Sequence, residues 1–224
     1  MPKTLAEDLD VLLAVFDGKL NSRIVEKLRT IRGKLVTLWY KGLVKSNHSV
    51  MEFVLASYFL LRGFNIEVEK SLENNLVCDI YAEKDGLSYI VEIETGFVPP
   101  SNAIDPVNYR RAREISKIAR YSKYSDLFAL ATPPYHILQI PEELVVSPGK
   151  RDLEKLLEMK QLLDQYYKSP PISVRDLLEA KVDYVYIVDV DHLKIIEIKA
   201  EDYVKNICKK SILSTRVYKL VDIR

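Results

Sequence analysis

The chain predicts a mixed α/β fold: one sheet, with helices before, between and after its strands. Three observations carry this expectation. Asp85-Gly86 sits between two apolar segments, 76–84 and 87–94, and an Asp-Gly pair so placed signals a hairpin, because both central residues of a type I′ turn need φ > 0. Apolar residues recur at helical spacing on either side of that hairpin, in the N-terminal part of the chain and again after Pro106. Finally, 127–131 is apolar throughout, the pattern of a strand covered on both faces.

Composition narrows the setting. The 224 residues are ample for a sizeable core, and 48% apolar with 29% charged residues is globular. With no apolar run of the roughly eighteen residues that a membrane span requires, no membrane partner is expected. Residues 1–7 lead straight into an amphipathic pattern without a signal peptide, so a cytoplasmic location is expected. Cys78 and Cys208 give neither a disulfide framework nor zinc-ligand spacing, and Cys78 reads as a core residue. Abundant Lys, Glu, Ile and Tyr with only three Gln fits a thermophile source. The 33 basic and 32 acidic side chains nearly cancel, but residues 19–45 hold eight Lys or Arg and the single acid Glu26.

Thr4-Leu-Ala-Glu7 is a capping box, and Leu5, Leu9, Leu12, Leu13 and Phe16 follow at helical spacing until Asp17-Gly18. A second short helix is expected from Asn21 or Ser22 to Leu28. A third begins near Thr30, with Ile31, Leu35, Leu38 and Trp39 on one face and Gly42 at its end. Three short helices in this order are those of a helix-turn-helix module. The last presents Thr30, Gly33, Thr37 and Tyr40 away from its core, flanked by Lys34 and Lys41. Short polar groups read base edges and Lys or Arg hold phosphates. On these residues, 4–46 resembles a winged-helix DNA-binding domain, with Arg29, Arg32, Lys34, Thr37, Tyr40, Lys41 and Lys45 as its DNA contacts; a three-helix bundle that docks on another domain is the other reading.

Ser49 to Leu61 is apolar nearly all round and therefore a buried helix, with Glu52 its one acid. Ser49-Val-Met-Glu52 is itself a capping box, so Glu52 either caps the helix or serves a site. Asn65 to Glu69 reads as a strand, and the hairpin follows. Its turn sets Asp79 opposite Glu92 on the same face, with Glu94 two residues further on. Like charges opposed in a sheet are destabilising, and the apolar neighbours of these acids argue for burial over a solvated face. A cluster of carboxylate oxygens suits a hard divalent cation, Mg²⁺ or Mn²⁺.

After an irregular stretch, 95–105, Asp105 and Pro106 start a helix on which Ile115, Ile118, Ala119 and Ser122 face inward. Arg110, Arg113, Lys117 and Arg120 form a single-signed stripe on it, which favours phosphate binding over i,i+4 pairing.

The order helix, three strands, helix, strand, with Glu52, Asp79 and Glu92-Ile93-Glu94 where they fall, resembles the PD-(D/E)XK nuclease superfamily over residues 49–131. The resemblance implies a restriction-endonuclease-like core at 47–140. It also implies Mg²⁺ or Mn²⁺ held by Asp79, Glu92 and Glu52, with Glu94 among the catalytic residues in place of the motif Lys. The expected activity is hydrolysis of DNA phosphodiesters; the alternative is a DNA-binding regulator whose nuclease fold no longer cleaves. Glu197-Ile198-Lys199 looks closer to the motif, but its hairpin would set Glu197 opposite Tyr186, with no acid in reach. Residues 183–200 therefore read as a structural hairpin that extends the sheet or builds a homodimer interface. Arg151 to Tyr167 and Glu201 to Ser211 read as helices completing a C-terminal part, 141–224. No phosphate loop is present, so no nucleotide cofactor is expected.

Overall fold

The Asp85-Gly86 turn forms with φ of +54° and +78°, both in the left-handed region that the turn demands. It joins β2 (Val77–Lys84) to β3 (Leu87–Ile93) in the expected register, Ile80 opposite Val91 and Lys84 opposite Leu87. The structure, a computed structural model, describes residues 4–209 and 216–219.

Around that hairpin, seven described strands lie in chain order in one mixed sheet. β1 (Asn65–Ser71) pairs antiparallel with β2, and β3 pairs parallel with β4 (Leu127–Thr132). β4 pairs parallel with β5 (Tyr184–Asp189), which turns back into β6 (Lys194–Lys199), and β7 (Arg216–Lys219) closes the order. The hairpin over 183–200 thus extends the sheet, and Glu197 faces Tyr186 as expected, accepting hydrogen bonds from Tyr58 at 2.8 Å and Tyr186 at 3.3 Å. Both of its strands are paired on both sides, so neither offers a free edge to a second copy.

Helices cover both faces. α1 (Leu5–Phe16), α2 (Ser22–Tyr40) and α3 (Ser46–Leu61) share one apolar core with Val68, Ile80, Val91 and Ile93 of the sheet. α4 (Pro106–Tyr121), α5 (Leu153–Tyr166), α6 (Val174–Glu179) and α7 (Ala200–Lys209) share the other with Ile90, Phe128, Leu130 and Val185. Cys78 is buried there, and burial pushes its thiol up to about 12, which makes it inert. Described residues of the last helix stop at Lys209, so the expected Lys210 and Ser211 lie outside them. Among the described residues no helix is long and apolar enough to cross a membrane.

The N-terminal region departs from the expected three short helices. The Thr4–Glu7 capping box forms and Asn21 caps α2, but α2 then runs unbroken through Thr30 to Tyr40. Thr30 does not cap a new helix; its hydroxyl donates back to the Glu26 carbonyl at 3.2 Å, the bond open to a threonine inside a helix. The three short helices expected over 4–46 are therefore two, and the next helix begins at Ser46. α1 and α2 pack on α3 and the sheet instead of around a core of their own.

Candidate active site

Glu52 from α3, Asp79 from β2, Glu92 from β3 and Glu94 just beyond it are all buried, and they meet where β2 and β3 part. Between these strands the ladder reaches only Ile80 and Val91. Past it, side chains replace main-chain acceptors: the Asp79 amide donates to Glu92 Oε1 at 3.0 Å, and the Ile93 amide donates to Asp79 Oδ2 at 2.6 Å. Each carboxylate thus satisfies a backbone donor of the opposite strand, which fixes both side chains in the gap.

The two helical layers reach the gap from opposite faces. From α4, Lys117 Nζ lies 3.3 Å from Asp79, 3.1 Å from Glu92 and 3.2 Å from Glu94, and it donates to the Ile93 carbonyl at 2.8 Å. One turn earlier, Arg113 Nε holds Glu94 at 2.9 Å. From α3, His48 Nε2 stands 3.0 Å from Asp79 Oδ2 and 3.8 Å from Glu52 Oε1. Lys117 and Arg113, expected on a phosphate-binding stripe, instead hold the carboxylates.

Glu69 is a fifth carboxylate of the site, not foreseen from the sequence. Its register position on β1 faces Asp79, yet its φ of +48° takes it out of the ladder while Val68 and Lys70 remain paired. A left-handed residue inside a strand is strained, and such strain collects where the surrounding structure has a use for it. Its charge acts on Glu52, whose carboxyl it helps to raise.

Glu52 is the anomaly. The helix begins at Ser46, three residues before Ser49, so the expected capping box does not form and Ser49 Oγ has no partner. Neither Glu52 oxygen receives a hydrogen bond from an N–H or O–H group. Burial, reinforced by Asp79, Glu69 and Glu92, raises its carboxyl well above the usual range. Burial beside Asp79 likewise pushes Glu92 up to about 8, and burial raises Glu69. Asp79 goes the other way: burial opposes its charge, but His48, Lys117 and the Ile93 amide outweigh that and hold it well below a normal aspartate. For Lys117, the three acids outweigh burial and raise its ammonium. Paired titratable groups pushed apart in this way are characteristic of functional sites.

A cleft of about 760 Å³ opens over Asp79, Glu92, Glu69, His48, Arg113 and Lys117, lined also by Lys45, Phe97, Tyr109 and Tyr121, with Glu52 and Glu94 buried behind it. A groove of about 810 Å³ between α1, α3 and the β5–β6 turn is slightly larger but is lined mainly by apolar side chains and holds none of these acids. Among the described residues no three His, Cys, Asp or Glu side chains are arranged to share a metal ion. Lys117 and His48 sit between the carboxylates. In chemical type, though not in this arrangement, the donors are those of a hard cation: carboxylate oxygens, two of which, on Glu52, are buried without a hydrogen-bond donor.

The remaining expected DNA contacts are dispersed. Arg29 pairs with Asp17 at 3.5 Å and Glu26 at 3.3 Å, and Arg32 with Asp10 at 2.7 Å. Lys34 donates to the Glu69 carbonyl at 3.2 Å, and Thr37 to the Gly33 carbonyl at 2.8 Å. Tyr40 and Lys41 are exposed at the end of α2. Arg120 donates to the Pro170 carbonyl at 3.0 Å, and Arg110 Nε is buried without a partner. Lys45 alone of the N-terminal group lines the cleft, its ammonium 5.0 Å from the centre of the Phe97 ring.

His48 could have been found from sequence, because it lies four residues before Glu52 and so shares its helix face. Glu69 could not, since no residue type marks where a strand will leave its ladder. Compared with known protein families, curated proteins and solved structures, the chain matches none of them.

Proposed function

We propose that this chain is a divalent-metal-dependent nuclease that hydrolyses phosphodiesters in the cleft over Asp79 and Glu92. The observation that carries the reading is Glu52, a carboxylate buried without a donor and facing three others. Ionising a buried carboxyl that lacks a hydrogen-bond donor and sits among other acids is costly, and a divalent cation is what favours its ionised form in such a cluster. The element order of α3, β1 to β3, α4 and β4 supports the resemblance to PD-(D/E)XK nucleases.

Asp79, Glu92 and Glu52 would hold Mg²⁺ or Mn²⁺, with Glu69 beside Glu52 as a further oxygen donor. The chemistry such a metal would supply there is an acidified water and a polarised phosphoryl oxygen. Glu94 takes a different part from the ligand or catalytic role expected of it: bonded to Arg113 and Lys117, it positions Lys117. Lys117 then provides, from a helix, the ammonium that a motif lysine at position 94 would have provided from the strand. Its Nζ would orient the attacking water and stabilise charge on the phosphoryl oxygens.

Cleavage of duplex, branched and single-stranded DNA in Mn²⁺ tests the reading. Asp79→Ala and Glu92→Ala are expected to abolish it, and Lys117→Met to reduce it at least a hundredfold. Cleavage that survives Asp79→Ala unchanged would sink the assignment. DNA binding with no heat of Mn²⁺ binding would favour the non-catalytic regulator instead.

A further inference from the structure

We propose that the cleft takes an unpaired polynucleotide strand, gripped by stacking of a base on Phe97, in preference to a duplex. The inference rests on the nuclease reading above and adds the class of substrate.

Phe97 is 54% exposed and Leu43 is 68% exposed, and both line the cleft that holds the carboxylates. They come from different parts of the chain: Leu43 from the link between α2 and α3, Phe97 from the segment after Glu94. Pro99 and Tyr109 continue the apolar rim. Large apolar groups left in water around an acidic floor lose free energy unless a ligand covers them. Lys45 is held against one ring, that of Phe97, at 5.0 Å. An aromatic face with a cation beside it is the pairing that grips a base together with its phosphate.

The charges argue in the same direction. A duplex hides its base faces and offers phosphates, so a protein gains on it chiefly through available Lys and Arg. At this cleft Arg113 and Lys117 are paired with Glu94, Asp79 and Glu92, so Lys117 can serve the one scissile phosphodiester but neither is free to follow the backbone of a duplex. Lys45 is the lining cation that no described carboxylate holds, and the chain's net charge is only +1. A duplex would therefore bring its phosphates over a mostly acidic floor and leave the rim uncovered. An unpaired strand can turn a base onto Phe97 and pass one phosphodiester down to the acids.

The test is fluorescence anisotropy of the full chain with labelled dT20, rU20 and a 20-base-pair DNA duplex, in Ca²⁺ to suppress cleavage. Binding of dT20 or rU20 at least tenfold tighter than of duplex is expected. Phe97→Ala should weaken single-strand binding roughly ten- to hundredfold, Phe97→Trp should restore it, and duplex binding should not move. Comparing dT20 with rU20 shows whether the strand is DNA or RNA. Tighter duplex binding, or single-strand binding indifferent to Phe97→Ala, overturns the inference; if Mn²⁺-dependent cleavage is still lost in Asp79→Ala, the nuclease reading stands without it. Absence of both cleavage and binding for all three nucleic acids overturns both.

Discussion

Lys117 is the residue on which the charge balance of the cleft turns. Its ammonium contacts three buried acids, so removing it leaves them facing one another across a few ångströms. Breaking a buried ion pair by deleting one partner costs about 3–5 kcal/mol. Lys117→Met should therefore lose about that much stability in EDTA by urea unfolding, and saturating Mn²⁺ should recover a large part of it. If Mn²⁺ stabilises neither the variant nor the wild type, the acids do not form a cation site. The pH dependence follows from the same groups. Glu92 is raised to about 8, and Glu52 and Glu69 are also raised, so the metal-free folded state holds protons that the unfolded state releases near pH 4.3. The stability these groups contribute is full below that pH and is lost as pH rises through their raised folded values, which for Glu92 is about 8. Asp79 is depressed and runs opposite, its contribution lost only in strong acid. Since a metal binds the carboxylate form, Mn²⁺ should displace a proton, and its affinity should rise about tenfold per pH unit between 6 and 8. A flat calorimetric profile over that range would contradict it.

At the scale of elements, what the sequence disclosed was local. The β2–β3 hairpin follows from two residues, Asp85 and Gly86, because only a primed turn accommodates two successive positive φ values, and its register brought Asp79 to Glu92. The break expected between Leu28 and Thr30 failed because no glycine or proline stands there, so a threonine that could cap was absorbed into a longer helix. The capping box at Ser49 failed likewise, since the start of α3 is set by the preceding turn at Gly42 rather than by the best capping residue. α6 went unread although Ser173 and Asp176 cap it reciprocally, being six residues long with little periodicity to show. Lys117 reads from the sequence as part of a phosphate-binding stripe because helix periodicity gives a direction but not which acids stand there. Gly96 marks the next element-level constraint: its φ is +76°, and a Cβ there would lie 2.6 Å from His136 Nδ1. His136 is in turn held 3.2 Å from the buried Glu114. Gly96→Ala must move that ring or the strand end carrying Glu94, and should cost about 1–3 kcal/mol in urea unfolding. Wild-type stability in this variant would show that the segment after Glu94 is free to adjust.

For the whole molecule, the continuity of the first core matters most. Leu5, Leu9, Phe16, Leu28 and Leu35 are buried in one cluster with α3 and the sheet. Removing residues 1–44 would strip the apolar cover that α1 and α2 give to α3, the helix that carries Glu52 and His48. The truncated chain should lose cooperative unfolding and Mn²⁺ binding together, as thermal melts and calorimetry would show. Retention of both would mean that α1 and α2 are an appended module after all.

β1 lies at the border of the sheet, with β2 on one side, and Glu69 interrupts its hydrogen-bonding run. Lys34 also occupies the Glu69 carbonyl. A regular border strand is a template on which another chain can add and begin aggregation. The same left-handed residue that sends a carboxylate toward Glu52 therefore also spoils that template. Glu69→Val favours an extended backbone, and should couple two losses: weaker Mn²⁺ binding and concentration-dependent light scattering on mild heating.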